Sequence, residues 1–122
     1  MNIRDFSELT GMSPHTIRYY EKIGIFRKIN RNNGGHRFFT SNDVAWAGFI
    51  KRLKDTGMSL KRILEYANLR EEGEHTAGDR MEILEKHADV LEKKISVYKQ
   101  NLKKLREKII YYEELEKNLD LE

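Results

Sequence analysis

Apolar residues recur at helical spacing in short bursts through the first 72 positions, then thin to a single narrow stripe over the rest of the chain. Ile3, Phe6 and Leu9 fall three apart and predict a first short helix from Ile3 to Thr10, ended by Gly11. Ser13 offers an N-cap and Pro14 suits a first helical turn, so a second short helix starts there and ends near Gly24. Two short helices joined by a tight turn make a helix-turn-helix. In the second helix, Ile17 and Tyr20 point at the first. His15, Arg18, Tyr19 and Lys22 are left on the outer side.

The periodicity then changes. In RKINRNNGGHRFFT, the turn residues Asn33, Gly34 and Gly35 separate two short β-like runs, and residues 27–39 read as a hairpin. Thr40 or Ser41 caps a third helix that carries Val44, Trp46, Ile50 and Leu53 and closes at Gly57. Ser59 caps a fourth, with Leu60, Ile63, Leu64 and Ala67 facing inward.

From about Thr76 to Leu119 there is no proline and, apart from Gly78, no glycine, which allows one helix of about 40 residues and roughly 60 Å. Its apolar positions are Leu84, Ala88, Leu91, Ile95, Tyr98, Leu102, Leu105, Ile109 and Tyr112, in alternating steps of four and three. A long helix with so narrow a seam needs a partner helix, so the segment reads as a dimerising coiled coil. Leu115 and Leu119 continue the apolar pattern one step short, so the regular seam ends near Tyr112. The chain is therefore expected to be mainly α, with a compact domain over residues 1–72 and a dimerisation helix over 73–122.

Composition narrows the chemistry. With 35% charged and 39% hydrophobic residues, part of the chain is a solvated helix rather than core. No apolar run approaches the ~18 residues that span a bilayer, and the opening MNIRDFSELT is charged where a signal peptide is apolar, so a cytoplasmic location and no membrane partner are expected. The absence of cysteine excludes a disulfide framework, a thiolate nucleophile and a cysteine-ligated metal. His75 and His87 stand twelve apart with no acidic residue to complete a cluster, and no metal or other cofactor is expected. Nothing resembles a nucleophile–base pair or a glycine-rich phosphate loop, so an enzyme is not expected.

The net charge of +3 conceals an uneven distribution. Residues 1–72 hold 13 Lys and Arg against 8 Asp and Glu, whereas residues 73–122 hold 10 against 12. A basic first part without a polybasic tail favours nucleic acid over a membrane. The outer face of the second helix places a guanidinium, a phenol and an imidazole around a helix N-terminus. Such a face suits a major groove, where arginine pairs with a guanine edge and hydroxyls grip phosphate. The alternative is that Arg18 bridges to Glu21 or Glu8 and Tyr19 merely lies on the surface. The hairpin adds Arg27, Lys28, Arg31 and Arg37 with no acid among them, as a backbone-gripping wing would. The turn KDTGMS can form a second wing that presents amides and Lys54 to phosphate.

In their order, TIRYYEKIGI, GHRFF and NDVAWAGFIKRLKDTGMSLKRI resemble the DNA-binding domain of the MerR family of transcriptional regulators, over residues 1–72. The resemblance implies a winged helix-turn-helix in which Thr16, Arg18 and Tyr19 face DNA from the recognition helix and Arg37 from the first wing. With the outer face and the two wings, the DNA-binding set becomes His15, Thr16, Arg18, Tyr19, Lys22, Arg31, His36, Arg37, Phe39, Lys54 and Ser59. The family usually has tyrosine at position 39. Phe39 can pack or lie against a sugar but cannot donate to phosphate.

The family likeness further implies an antiparallel coiled coil and a homodimer on a palindromic promoter element. Such dimers bend and untwist an overlong −35/−10 spacer, and so act on RNA polymerase holoenzyme through the promoter. The chain is similar to short members that lack a separate effector-binding domain. Its activating signal, if a small-molecule effector, is not readable; Tyr98, Tyr111 and Tyr112 fit either the seam or a small pocket. An architectural, excisionase-like DNA-binding protein shares the winged plan, but a forty-residue dimerisation helix argues against it. With Leu84 as position d, the e positions are Glu85, Glu92, Lys99, Arg106 and Glu113, a pattern that favours antiparallel pairing.

Overall fold

The computed structural model describes residues 1–121. In chain order the elements are α1 (Ile3–Thr10), α2 (Pro14–Ile23), β1 (Asn30–Arg31), β2 (Arg37–Phe38), α3 (Ser41–Asp55), α4 (Leu60–Glu72), a 3₁₀ turn (Glu74–Thr76) and α5 (Ala77–Asp120). Two compact units result, Met1–Glu85 and Lys86–Glu122.

The helix boundaries follow from side-chain caps. Asn2 accepts from the amide of Asp5 at 2.9 Å, and Ser13 accepts from Thr16 at 3.1 Å with Pro14 in the first turn behind it. Thr40 and Asp43 form a reciprocal capping box at the start of α3. Ser59 opens α4 by accepting from Arg62 at 3.2 Å. Gly11 and Gly24 end α1 and α2 at φ 76° and 92°, in the left-handed region that glycine enters without a Cβ clash.

The core of the first unit is built on an aromatic stack. Phe6 lies flat on Phe39 with centroids 4.0 Å apart, and Phe26 meets both Phe6 and Tyr20 edge-on. Ile17, Ile25, Ile50 and Ile63 close around them, joined by Met12, Ala47, Leu53, Met58 and Ile83. Leu9, placed with Ile3 and Phe6 by its spacing, is 62% exposed, and Met12 fills the core beyond α1 instead. The reason is length: α1 is only two turns, so Gly11 redirects the chain and brings the next apolar residue inward.

The first unit extends past residue 72, because Ile83 on the first turns of α5 belongs to its core. Thr76, buried between α4 and α5, donates its hydroxyl to the carbonyls of Leu69 and Gly73, each at 2.7 Å, and accepts from Arg80 at 3.1 Å. These bonds satisfy carbonyls that the end of α4 leaves open. In the second unit, Ile95, Tyr98, Leu102, Leu105, Ile109 and Tyr112 are all about half exposed or more in the single chain. Val90 and Val97 are exposed beside that stripe, in a shallow groove that Tyr98 also lines; Tyr111 and Tyr112 instead pack edge-on against each other at 5.3 Å.

Candidate nucleic-acid interface

α2 divides its side chains as the spacing predicts. Ile17 and Tyr20 are buried, whereas His15, Arg18, Tyr19 and Lys22 are exposed on one face. Thr16 is half-buried at the helix start, where its hydroxyl accepts from Ser13 at 3.0 Å. The alternative pairing of Arg18 does not form. Glu8 faces Arg4 at 3.7 Å, Glu21 is engaged by the wing, and Arg18 has no ion-pair partner among the described residues.

The wing is a two-stranded antiparallel ribbon with Asn30 opposite Phe38 and Arg31 opposite Arg37. Its tip depends on a residue the turn signal did not single out. The Asn32 side chain accepts from the amides of Gly34 at 3.0 Å and His36 at 3.1 Å, fixing the loop from within. His36 and Arg31 are exposed, and Arg37 is half-buried.

Both arginines reach the same carboxylate. Glu21 Oε1 on α2 accepts from Arg37 Nε at 2.8 Å and from Arg31 Nη2 at 3.3 Å, so one acid ties both strands of the wing to the recognition helix. The sequence placed Glu21 only as a rival partner for Arg18, because ten and sixteen residues separate it from the arginines it holds.

One assignment is corrected. Phe39 is 1% exposed and stacks on Phe6, so it is core and presents no surface to a nucleic acid; Phe38, on the opposite side of the strand, is 49% exposed. The two neighbours turn to opposite sides where the chain leaves β2, Phe38 outward and Phe39 into the core. Lys54 and Ser59 are exposed at the α3–α4 turn, and the Ser59 hydroxyl is already used as the α4 cap.

Among the described residues, no group of His, Asp and Glu has the arrangement of a metal site, and no helix is long and apolar enough to cross a membrane. Burial raises the phenol of Tyr20 above its ordinary value, with Tyr19 and Asp55 adding to the effect. It therefore stays neutral under the α2 face across the physiological range.

An exposed basic helix face beside a basic two-stranded wing, with a long C-terminal helix, defines a winged helix-turn-helix DNA-binding protein. The family model described as "MerR HTH family regulatory protein" matches residues 1–69, and that described as "MerR, DNA binding" matches residues 44–109. The chain belongs to the MerR family of DNA-binding transcriptional regulators. It is 33% identical to an uncharacterised HTH-type transcriptional regulator of Haemophilus influenzae over 107 residues, covering 88% of this chain and 79% of that protein. With AdhR, an HTH-type transcriptional regulator of Bacillus subtilis, it shares 34% identity over 84 residues, 69% of this chain and 60% of AdhR.

Among solved structures, a Listeria monocytogenes protein assigned to the MerR family superposes with a TM-score of 0.86 at 39% identity, over 93% of this chain and 86% of that one. HiNmlR, described as a MerR family regulator lacking the sensor domain and bound to promoter DNA, gives 0.84 at 31% identity, over 93% and 90%.

Proposed function

We propose that this chain acts as a homodimer on a palindromic promoter element and activates transcription by distorting an overlong −35/−10 spacer. The observation that carries the reading is the α2 face: His15, Arg18, Tyr19 and Lys22 are exposed together, with Arg18 in no ion pair among the described residues, beside a wing held to that same helix through Glu21. In this reading Arg18 reads base edges in the major groove. Arg31, His36 and Arg37 grip the flanking backbone, and Thr16, Lys54, the α3–α4 turn amides and the Ser59 region hold phosphate.

The exposed stripe of α5 supports the dimer. A run of half-exposed leucines, isoleucines and tyrosines at seam spacing is a surface that water penalises and a second copy of the helix covers. Antiparallel pairing puts the two recognition helices at opposite ends of a stiff connector. A fixed separation then trades contact energy for bending and untwisting of the DNA, of order 1–6 kcal/mol. Polymerase holoenzyme is engaged through the reshaped promoter, in the cytoplasm.

Footprinting on genomic fragments tests this. The expected outcome is a protected palindrome inside a promoter spacer longer than polymerase prefers, with enhanced cleavage at its centre. Protection without any symmetric element, or at sites unrelated to promoters, would replace the reading with an architectural one.

A further inference from the structure

The first unit holds a cleft of about 370 Å³ that shares no residue with the eleven-residue DNA-binding set, although Arg27 and Lys28, read from the sequence as wing charges, line it. Its walls are the loop of residues 25–29 with Asn30 at the start of β1, the first turns of α3 and the last turns of α4. A volume of this size suits a small molecule.

The charges in the cleft are not balanced. Of its two acids, Asp43 is taken by the capping box with Thr40, and Glu71 is held by Lys28 at 3.1 Å. That contact from Lys28 keeps the Glu71 carboxyl below its ordinary range, so it stays ionised and occupied. Among the described residues Arg27 donates to neutral oxygens, those of Gly24 and Asn68. Arg70 lies 4.1 Å over the ring of Trp46 and has no anionic partner among the described residues. Trp46 is itself fixed, because its Nε1 donates to the carbonyl of Ile25 at 2.9 Å. Arg70 covers the face of the indole, and Phe49 and Tyr66 pack beside it, so the cleft offers the edge of a fixed indole beside a guanidinium that feels the charge of Glu71 but makes no ion pair among the described residues. A guanidinium pairs with a carboxylate through two parallel hydrogen bonds, and the edge of an indole meets a flat ring in an edge-to-face contact.

The position of the cleft gives it leverage. The loop on one wall runs directly into β1, and the α4 end on the other carries the ion pair that holds Lys28, whose φ of 56° is in the left-handed region for a residue with a Cβ. A molecule seated between them acts on the base of the wing. We propose that this cleft is an effector site for a small planar organic anion, whose carboxylate pairs with Arg70, whose ring meets the edge of Trp46, and whose binding changes how the wing is held. This rests on the reading of the chain as a DNA-binding regulator. By linkage, whatever the anion does to DNA affinity, DNA does equally to the affinity for the anion.

Trp46 is the one tryptophan of the chain, so its fluorescence reports on the cleft directly. The full chain, without DNA, is titrated with benzoate, and with benzamide, acetate and inorganic phosphate as controls at matched ionic strength. The expected result is a saturable change with benzoate, at least tenfold weaker with each control. Arg70→Gln, shown by circular dichroism and thermal midpoint to be folded, should weaken benzoate at least tenfold. No saturable change, or equal response to benzamide, to phosphate or in Arg70→Gln, would overturn the site. In a second arm, saturating benzoate should shift the affinity for a footprinted promoter fragment at least threefold in the wild type and not in Arg70→Gln. Benzoate binding without that shift would overturn the effector role. A chain that binds no promoter fragment in either condition would instead sink the regulatory reading, and the fluorescence arm would still decide the site.

Discussion

Arg37 on the wing donates from Nε to Oε1 of Glu21 on the recognition helix at 2.8 Å, with both side chains about a quarter exposed. This contact makes the pose of the wing depend on α2, and Arg31 reinforces it through the same oxygen. Glu21→Gln keeps the shape and removes the charge. It should cost about 1 kcal/mol in urea unfolding, discounted because the pair is partly solvated. Loss of an acid near phosphate should also raise nonspecific DNA affinity while the loosened wing lowers specific affinity, so the ratio of the two falls. Titrations on matched and scrambled fragments measure both. A variant with an unchanged ratio would mean that the wing holds its pose without Glu21.

Arg18 and Arg37 should differ although both are basic. Arg18 is exposed and makes no ion pair among the described residues, so Arg18→Ala should leave stability unchanged, cost roughly 1–3 kcal/mol on the matched site and relax preference at particular base pairs. Arg37→Ala should weaken mismatched DNA and reduce the slope of log affinity against log salt by about one, and, because it also releases the wing from Glu21, weaken matched DNA somewhat more, without relaxing preference at particular base pairs. Binding at several salt concentrations separates the two. Unchanged affinity in both variants would take the α2 face and the wing off the DNA.

The correction at position 39 has a direct test. Phe39→Ala empties the aromatic stack on Phe6 and should cost about 3–5 kcal/mol, whereas Phe38→Ala, on the exposed side of the strand, should stay within about 0.5 kcal/mol. Denaturant midpoints at constant m compare them. Similar costs at the two positions would mean that the strand faces are wrongly assigned.

The contrast between Phe39 and Glu21 shows what the sequence carries and what it does not. Local signals found the helices: Ser13, Thr40 and Ser59 cap where their spacing from the apolar runs says they should, and Gly11 and Gly24 terminate α1 and α2. The outward set of α2 was legible for the same reason, since a helical period fixes a face once two core residues are known. Phe39 was ambiguous because strands of two residues carry no periodicity to read. The clasp at Glu21 and the packing of Ile83 into the first unit were invisible, because both join residues far apart in sequence. The cleft at Trp46 likewise draws on three separate segments, and no spacing rule reaches across them.

Tyr20 gives the chain a defined alkaline limit. Burial raises its phenol above the ordinary value of 10.0, aided by Tyr19 and Asp55, so the folded chain keeps the proton at pH values where the unfolded chain has lost it. With more protons bound to the folded state, stability is fully present below about pH 10 and falls as pH rises through the higher folded value. Tyr20→Phe removes that group. Lysine deprotonation is common to both proteins, so the wild type should lose more stability than Tyr20→Phe between neutral pH and the region just above pH 10. Urea midpoints at the two pH values measure it, and parallel losses would mean that Tyr20 titrates normally.

The direction of the α5 pair is open to a crosslinking test that the absence of cysteine makes clean. In an antiparallel pair with its dyad near residues 95–97, Glu85 faces Arg106 of the second copy and Glu92 faces Lys99, four favourable contacts per dimer. A parallel, in-register pair instead sets Lys94 against Lys99, offset only by His87 near Glu92 and Lys108 near Glu113. Exposed pairs contribute only ~0–1 kcal/mol each, so the pattern selects orientation more than affinity. At 1.5 Å per residue, antiparallel packing holds the two copies of position 85 about 30 Å apart. Glu85→Cys alone should therefore not crosslink to itself. Mixed with Arg106→Cys, after subunit exchange, it should give a disulfide-linked heterodimer under mild oxidation, visible as a doubled mass on a non-reducing gel. Efficient self-crosslinking of Glu85→Cys would mean that the helices run parallel, and two recognition helices arranged that way cannot meet the halves of one palindrome across a distorted spacer.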